Sequence, residues 1–374
     1  MNIDPVLYIG ISQSFFSGLL ISTKKPLTIA NRLMAAWLFL ICIELVSALI
    51  NSNFLEVYSF PFVAFTYGPL LYLYVIYITN PGKKFNWLAL IHFVPFMVFF
   101  SVSVIFRAKP IVNDLTNFFV PDRFISLRIV YSSCFFLSVT IYSILAFIQI
   151  RKHQANLRNL VSYTSGVITL NWLKTVSISF YTAYFVLFIL GGLNIIGNYI
   201  PFDPYFVIFG FIALFSFVYS FYGIKQPVIF GDELVSEDAD EEKKFSEKYV
   251  KSGLKEKQAM DYLNRLILYV EENKPYLNRD LNINDLSLMT GISRHHITQV
   301  LNEFHKKNFF LFINEYRIKE VIERFSDKKC NHYTILAIAY DAGFNSKATF
   351  NSIFKAQTGL TPSQFREKSS GVSG

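Results

Sequence analysis

Hydrophobic positions follow two different rhythms along this chain. Up to about residue 224 the apolar residues run together, in stretches at roughly 6–22, 33–50, 57–79, 87–106, 129–150, 176–196 and 204–223. Each stretch approaches the ~20 residues that carry a helix across a bilayer's hydrocarbon core, the first being slightly short. A surface helix of a soluble bundle needs a polar face, and a run such as FVPFMVFFSVSVIF has none. The pattern predicts seven membrane-spanning helices, with Pro61, Pro69 and Pro95 marking kinks. The opening MNIDP carries no Lys or Arg, which a secretory signal peptide needs, so the first stretch reads as a retained helix.

Beyond Gly253 the rhythm changes to helical periodicity. Leu263, Leu266, Ile267 and Val270 recur at i, i+3, i+4 and i+7 and predict an amphipathic helix that ends before Pro275. Its apolar face fits either the domain behind it or a second copy of the chain. Two similar segments follow, DLSLMTGISRHHITQVLNEF and AIAYDAGFNSKATFNSIFK. Leu286 aligns with Ile338, Ser287 with Ala339, Gly291 with Gly343 and Ile292 with Phe344. With one residue gained, Ile297, Val300 and Leu301 then match Phe350, Ile353 and Phe354.

This pattern has the physics of a helix-turn-helix. Small Ser287 and Ala339 let the helices cross closely, while Gly291 and Gly343 take the positive φ of a tight turn. Ser293 caps the second helix of the first copy, and Ser346 or Asn345 that of the second. The face left outward is polar: Arg294, His295, Thr298 and Gln299 in one copy, Lys347, Ala348, Asn351 and Ser352 in the other. Between the copies, FFLFINEYRIKEVIERF predicts one continuous helix of ~25 Å, which would hold two reading heads about one DNA turn apart.

Charge separates the same two parts. Residues 1–230 hold 14 Lys/Arg and 6 Asp/Glu, whereas residues 231–374 hold 21 of each. Overall, 17% of residues are charged and 52% hydrophobic, against about a quarter charged in an ordinary soluble domain. Ten Lys/Arg lie in loops after the odd-numbered stretches and after the seventh, and four in the remaining loops, all after the fourth stretch. By the positive-inside rule this places the amino terminus outside and the carboxyl-terminal part in the cytoplasm. The outer loop at about 107–128 is long enough to contribute to a recognition site. Residues 225–252 turn acidic between Asp232 and Glu242 and read as a solvated linker. Residues 273–368 hold 14 Lys/Arg and 9 Asp/Glu, a basic excess suited to phosphate contact. Glu44 is the one acid within the apolar stretches. It is either a membrane signal site or an edge residue satisfied by Ser or Tyr hydroxyls. The three cysteines lie far apart in sequence, and no CxxC, HExxH, glycine-rich phosphate loop or GxSxG occurs. No metal, cofactor or catalytic constellation is expected.

The stretch IAYDAGFNSKATFNSIFKAQTGLTPSQFR resembles the signature of the AraC/XylS-type bacterial transcription regulators: a small-residue helix, Gly-Phe, Phe-x3-Phe-Lys, Gly-x-Thr-Pro and Phe-Arg. The resemblance covers about 250–368. Its lead-in, KSGL through KPYLNRDLNINDLS, is similar to members fused to a multi-span membrane domain. It implies two helix-turn-helix units reading adjacent major grooves of double-stranded promoter DNA, commonly as a homodimer. Base-edge contacts would then fall on His295, Thr298 and Gln299 and on Lys347, Ala348, Asn351 and Ser352. One departure is Asn308, where many members have Gly.

The expectation is therefore an all-α chain in four parts: a seven-span domain at 1–224, a charged linker at 225–252, a double helix-turn-helix domain at 253–368 and a tail at 369–374. Its function would be a regulator in the bacterial inner membrane, coupling an unidentified ligand or membrane partner to promoter binding. The alternatives are a receptor whose helical domain binds a protein, and a transporter or intramembrane enzyme with a regulatory tail.

Overall fold

Apolar runs that lack a polar face become long helices. The computed structural model describes residues 4–53, 63–106, 125–163, 168–197, 204–227 and 256–370. Within these, α1 (Asp4–Thr23), α2 (Ile29–Asn53), α5 (Ile125–Leu160), α6 (Asn171–Gly197) and α7 (Pro204–Lys225) are long and apolar enough to cross a membrane. The third and fourth stretches give shorter helices. A 3-10 turn at Val63–Thr66 leads into α3 (Tyr67–Thr79), and a 3-10 segment at Trp87–Phe93 into α4 (Val94–Phe106). Pro69 and Pro95 stand in the first turns of α3 and α4. Each follows a 3-10 segment continuous with its helix, close to where the winding changes from 3-10 to α. Pro61, the outer loop at 107–124 and the linker from 228 to 252 lie outside the described residues.

The chain divides into two units, Met1–Arg151 with Leu170–Glu237, and Lys152–Thr169 with Asp238–Gly374. The first unit is built around Trp37, which is fully buried and ringed by Tyr67, Phe180, Phe215 and Tyr219 at centroid distances of 4.9 to 5.9 Å. Small residues bring α1 close to its neighbours: a Cβ on Gly10 would lie 2.7 Å from Leu45 Cδ1 and 3.1 Å from Ala213 Cβ. Large apolar side chains also point outward, among them Ile9, Phe16, Leu137, Ile148 and Leu214. Glu44 on α2 accepts a hydrogen bond from the Tyr67 hydroxyl on α3, so its carboxylate has a partner within the unit.

The second unit has two cores that share one helix. α8 (Glu256–Asn273) packs Ala259, Leu263, Leu266 and Val270 against Leu286, Ile292, Ile297 and Val300 in the first core. The spacer helix α11 (Phe309–Ser326) contributes Phe309, Phe312 and Ile313 to that core. Its other end contributes Ile318, Val321 and Phe325 to the second core, where they meet Ile338, Ala339, Phe344, Phe350 and Phe354. Among the described residues the only extended pairing is one isolated antiparallel bridge, Val161 with Asn282, inside this second unit.

Candidate nucleic-acid interface

The first head begins with a reciprocal cap. The Asn282 side chain accepts from the backbone N–H groups of Asn284 and Asp285, and the Asp285 carboxylate accepts from the Asn282 N–H, so α9 (Ile283–Thr290) starts with its donors paired. Gly291 ends α9 at φ +66°, a conformation that is cheap only without a Cβ. Ser293 then caps α10 (Arg294–Gln299) by accepting from His296 N at 3.3 Å. The second helix of this head finishes in a π-helical turn, Val300–Phe304. Lys306 carries the left-handed conformation of the exit at φ +57°, and Asn308 caps α11 by accepting from Leu311 N at 2.9 Å. The departure at Asn308 thus works as a helix start, with the positive φ two residues earlier.

The second head repeats the construction. Thr334 caps α12 (Ile335–Asp341), and Gly343 takes φ +95°. Ser346, and not Asn345, caps α13 (Lys347–Thr358) by accepting from Thr349 N at 3.4 Å. After Gly359 closes α13, α14 (Pro362–Ser370) lays Phe365 on the second core. The next residue, Arg366, donates to the carbonyls of Tyr333 at 2.8 Å and Asn331 at 2.9 Å. The Phe-Arg pair at the end of the motif is therefore a structural clasp on the loop that follows the spacer helix.

These helices turn their apolar residues inward: Ile297, Val300 and Leu301 in the first head, Phe350, Ile353 and Phe354 in the second. The polar positions are left on the other side. Lys347, Ala348, Asn351 and Ser352 are all exposed, whereas Arg294, His295, Thr298 and Gln299 are half-buried. Gln299 also donates to Glu303 at 3.0 Å, one turn on. Burial, and then the neighbouring His295, hold the His296 imidazole below its ordinary range, and it stacks on Tyr262 of α8 at 5.2 Å. His296 is thus tied to the lead-in helix and leaves the outward face to its neighbours. Among the described residues no cluster of His, Cys, Asp or Glu is grouped as metal ligands would be.

Comparison with known proteins agrees with this geometry. A family described as a helix-turn-helix domain matches residues 286–368, from the first helix of the first head to α14. An uncharacterized HTH-type transcriptional regulator in the cgkA 5′ region of Pseudoalteromonas carrageenovora is 31% identical over 100 residues, 27% of this chain and 55% of that protein. The probable transcription factor PqrA of Proteus vulgaris is 30% identical over 90 residues, 24% of this chain and 71% of that protein. The chain belongs to the AraC-type helix-turn-helix transcription regulators. The family is one of DNA-binding regulators, not enzymes. This chain spans only about half the length of the first of these relatives. No solved structure matches.

The regulator's heads are held in register by groups that lie away from the outward polar faces. Arg317 lies on the apolar stripe of α11 between Ile313 and Val321, at i+4 from one and i−4 from the other, and is almost fully buried. It donates to the carbonyls of Tyr276 at 2.8 Å and Asn278 at 2.7 Å, both in the lead-in to the first head. Its guanidinium also lies 5.9 Å from the ring centroid of Phe344, in the turn of the second head. A Cβ on Gly343 would fall 2.1 Å from Tyr276 O and 2.9 Å from Arg317 Nε. The turn of the second head is thus pressed against the lead-in of the first, with Arg317 between them. Burial pushes the guanidinium down to about 9, with Asp280 acting the other way, so it remains charged at neutral pH. One turn further along α11, Glu320 accepts from Lys274 at 3.0 Å, Tyr276 at 3.2 Å and Arg324 at 2.9 Å. A charged residue on an apolar helical stripe was the signal available in the sequence for Arg317. Glu320 shows only its i+4 pairing with Arg324, and Arg366 only its place in the Phe-Arg signature, because partners such as Lys274, Tyr276 and Tyr333 are distant in sequence.

Proposed function

We infer that the chain is a membrane-embedded, sequence-specific regulator of transcription, which couples a signal at its apolar helices to promoter binding by its two heads. The observation that carries this reading is the pairing of two capped reading helices on one shared spacer helix, alongside five helices among the described residues that are long and apolar enough to cross a bilayer. Exposed Lys347, Asn351 and Ser352 supply the donors and acceptors that read base edges in a major groove, Lys347 at guanine and Asn351 at adenine. Arg294, His295, Thr298 and Gln299 serve the same purpose in the first head. A homodimer on DNA would double the number of half-sites, and the distribution of loop charge supports heads on the cytoplasmic side of the bacterial inner membrane. The domain division that goes with this reading is a membrane domain at 1–224, a linker at 225–252 and the reading domain at 253–368. Glu44 and its Tyr67 partner are candidates for the place where the signal acts.

The test is selection of random duplexes by the full chain in lipid nanodiscs, at one stated salt concentration. Enrichment of a motif with two elements about one helical turn apart is the expected result. Binding that is strongly salt-dependent but indifferent to sequence would leave only phosphate contacts, and the regulator reading would then be abandoned.

A further inference from the structure

The second unit contains a piece of chain that the sequence assigns to the apolar domain. The last turns of α5, from Lys152 to Leu160, and the residues Val161 and Ser162 that follow belong with the reading heads in this unit. Within this segment the base is tied: His153 Nε2 hydrogen-bonds the Ile168 carbonyl at 3.0 Å, and Gln154 donates to the Thr169 carbonyl at 2.8 Å. At the tip, Leu160 packs on the core of the first head, Val161 bridges Asn282, and Val161 and Ser162 are 1% and 0% exposed. The Ser162 N–H and hydroxyl both donate to the Leu281 carbonyl, at 3.2 and 2.6 Å. The Ser162 carbonyl accepts from Arg317 Nη1 and from Asn314 Nδ2, each at 2.8 Å, and its hydroxyl accepts from Arg317 Nη2 at 3.0 Å.

Arg317 is the residue that ties the lead-in of the first head to the turn of the second. Among the described residues no carboxylate stands in its hydrogen-bond set, which besides Ser162 comprises the carbonyls of Tyr276 and Asn278 and the side-chain oxygen of Asn314. Withdrawing Ser162 removes two of its acceptors at once and leaves buried donors short of partners. An unpaired buried donor on a charged group costs more than an ordinary hydrogen bond, so the junction between the heads must rearrange or admit water.

We propose that the end of α5 with Val161 and Ser162 is the transmission element of this protein: docked through these two residues it fixes the two heads in one disposition, and its release changes that disposition. The proposal rests on the membrane-regulator reading above and names the route by which such a signal reaches DNA. Coupling of this kind requires that DNA discriminate between docked and released states, and it is then reciprocal.

The experiment uses the full chain in lipid nanodiscs, as wild type, Val161→Asp and the milder Ser162→Ala, with two readouts. Amide hydrogen exchange at Ser162, whose N–H donates to the Leu281 carbonyl, reports docking, and affinity for the selected duplex reports reading. The expected result is slow exchange in the wild type, at least tenfold faster exchange in Val161→Asp, and a smaller shift in Ser162→Ala. Affinity for the specific duplex changes at least tenfold in Val161→Asp, while affinity for random duplex is unchanged. Adding specific duplex to the wild type shifts this exchange by the same factor. Fast exchange in the wild type overturns the proposal whatever the DNA result. A released segment with unchanged affinity also overturns it, leaving the contact as a structural stitch. A docked segment in a wild type that selects no sequence means that the regulator reading itself has failed, and the coupling with it.

Discussion

At the scale of single residues, two glycines in equivalent turns carry unequal weight. A Cβ on Gly291, at φ +66°, would meet nothing within 4 Å, whereas one on Gly343 would meet Tyr276 O at 2.1 Å. Gly291→Ala therefore costs backbone strain alone, about 1–2 kcal/mol. Gly343→Ala adds a clash with backbone that belongs to the other head, and the expected loss is larger, at several kcal/mol, read as the difference in thermal midpoint. Glu320 gives a second prediction at this scale. Burial alone would raise its carboxyl, but hydrogen bonds from Lys274 and Arg324 and the charges of both hold it below the usual range. Because the folded value lies below the unfolded one, near about 4.3, its contribution is fully present above that value. It is lost as pH falls through the folded value. Thermal unfolding from neutral pH downward should show Glu320→Gln less stable at pH 7, with a shallower acid limb than the wild type.

At the scale of elements, the repeat in the sequence corresponds to a repeat in structure down to the caps, with informative differences. The second reading helix runs unbroken from Lys347 to Thr358, while the first passes from α-helix to a π-helical turn at Val300. The extra residue seen when the copies are aligned falls before these inward-facing positions, so it does not account for that turn. The second head exposes all four of its outward positions, the first exposes none of its four fully. Lys347→Ala and Asn351→Ala should therefore abolish selection at one half of the recovered motif. The cost expected is about 1–3 kcal/mol for each bidentate pairing with a base, with the helix content of the domain intact by circular dichroism. Equal selectivity in both variants would remove α13 from the reading role. Most of this element-level structure was legible in the sequence, because caps, turn glycines and apolar spacing are local signals. What α8 packs against was open between two partners; its face goes to the first core.

For the whole molecule, the reading places unlike solvents on the two parts of one chain. Seven apolar stretches were legible from composition; among the described residues five of them give helices of spanning length, and the described parts of the other two are shorter and include 3-10 turns. Side-specific thiol labelling of a cysteine-free chain tests the orientation: Asp4→Cys should react from outside and Lys368→Cys from the cytoplasmic side. The reverse pattern would put the heads where no DNA is and end the regulator reading.

The sequence by itself determined the elements and the family, since an apolar run, a capping serine and a turn glycine act on their own few neighbours. Only the tertiary structure decided which distant groups share the buried charge of Arg317. Its acceptors come from residues 162, 276, 278 and 314. Hydrogen bonding to backbone carbonyls leaves no trace in residue type, so a loop that reads as a connector between two apolar helices gave no sign that its tip lies in the core of a reading head.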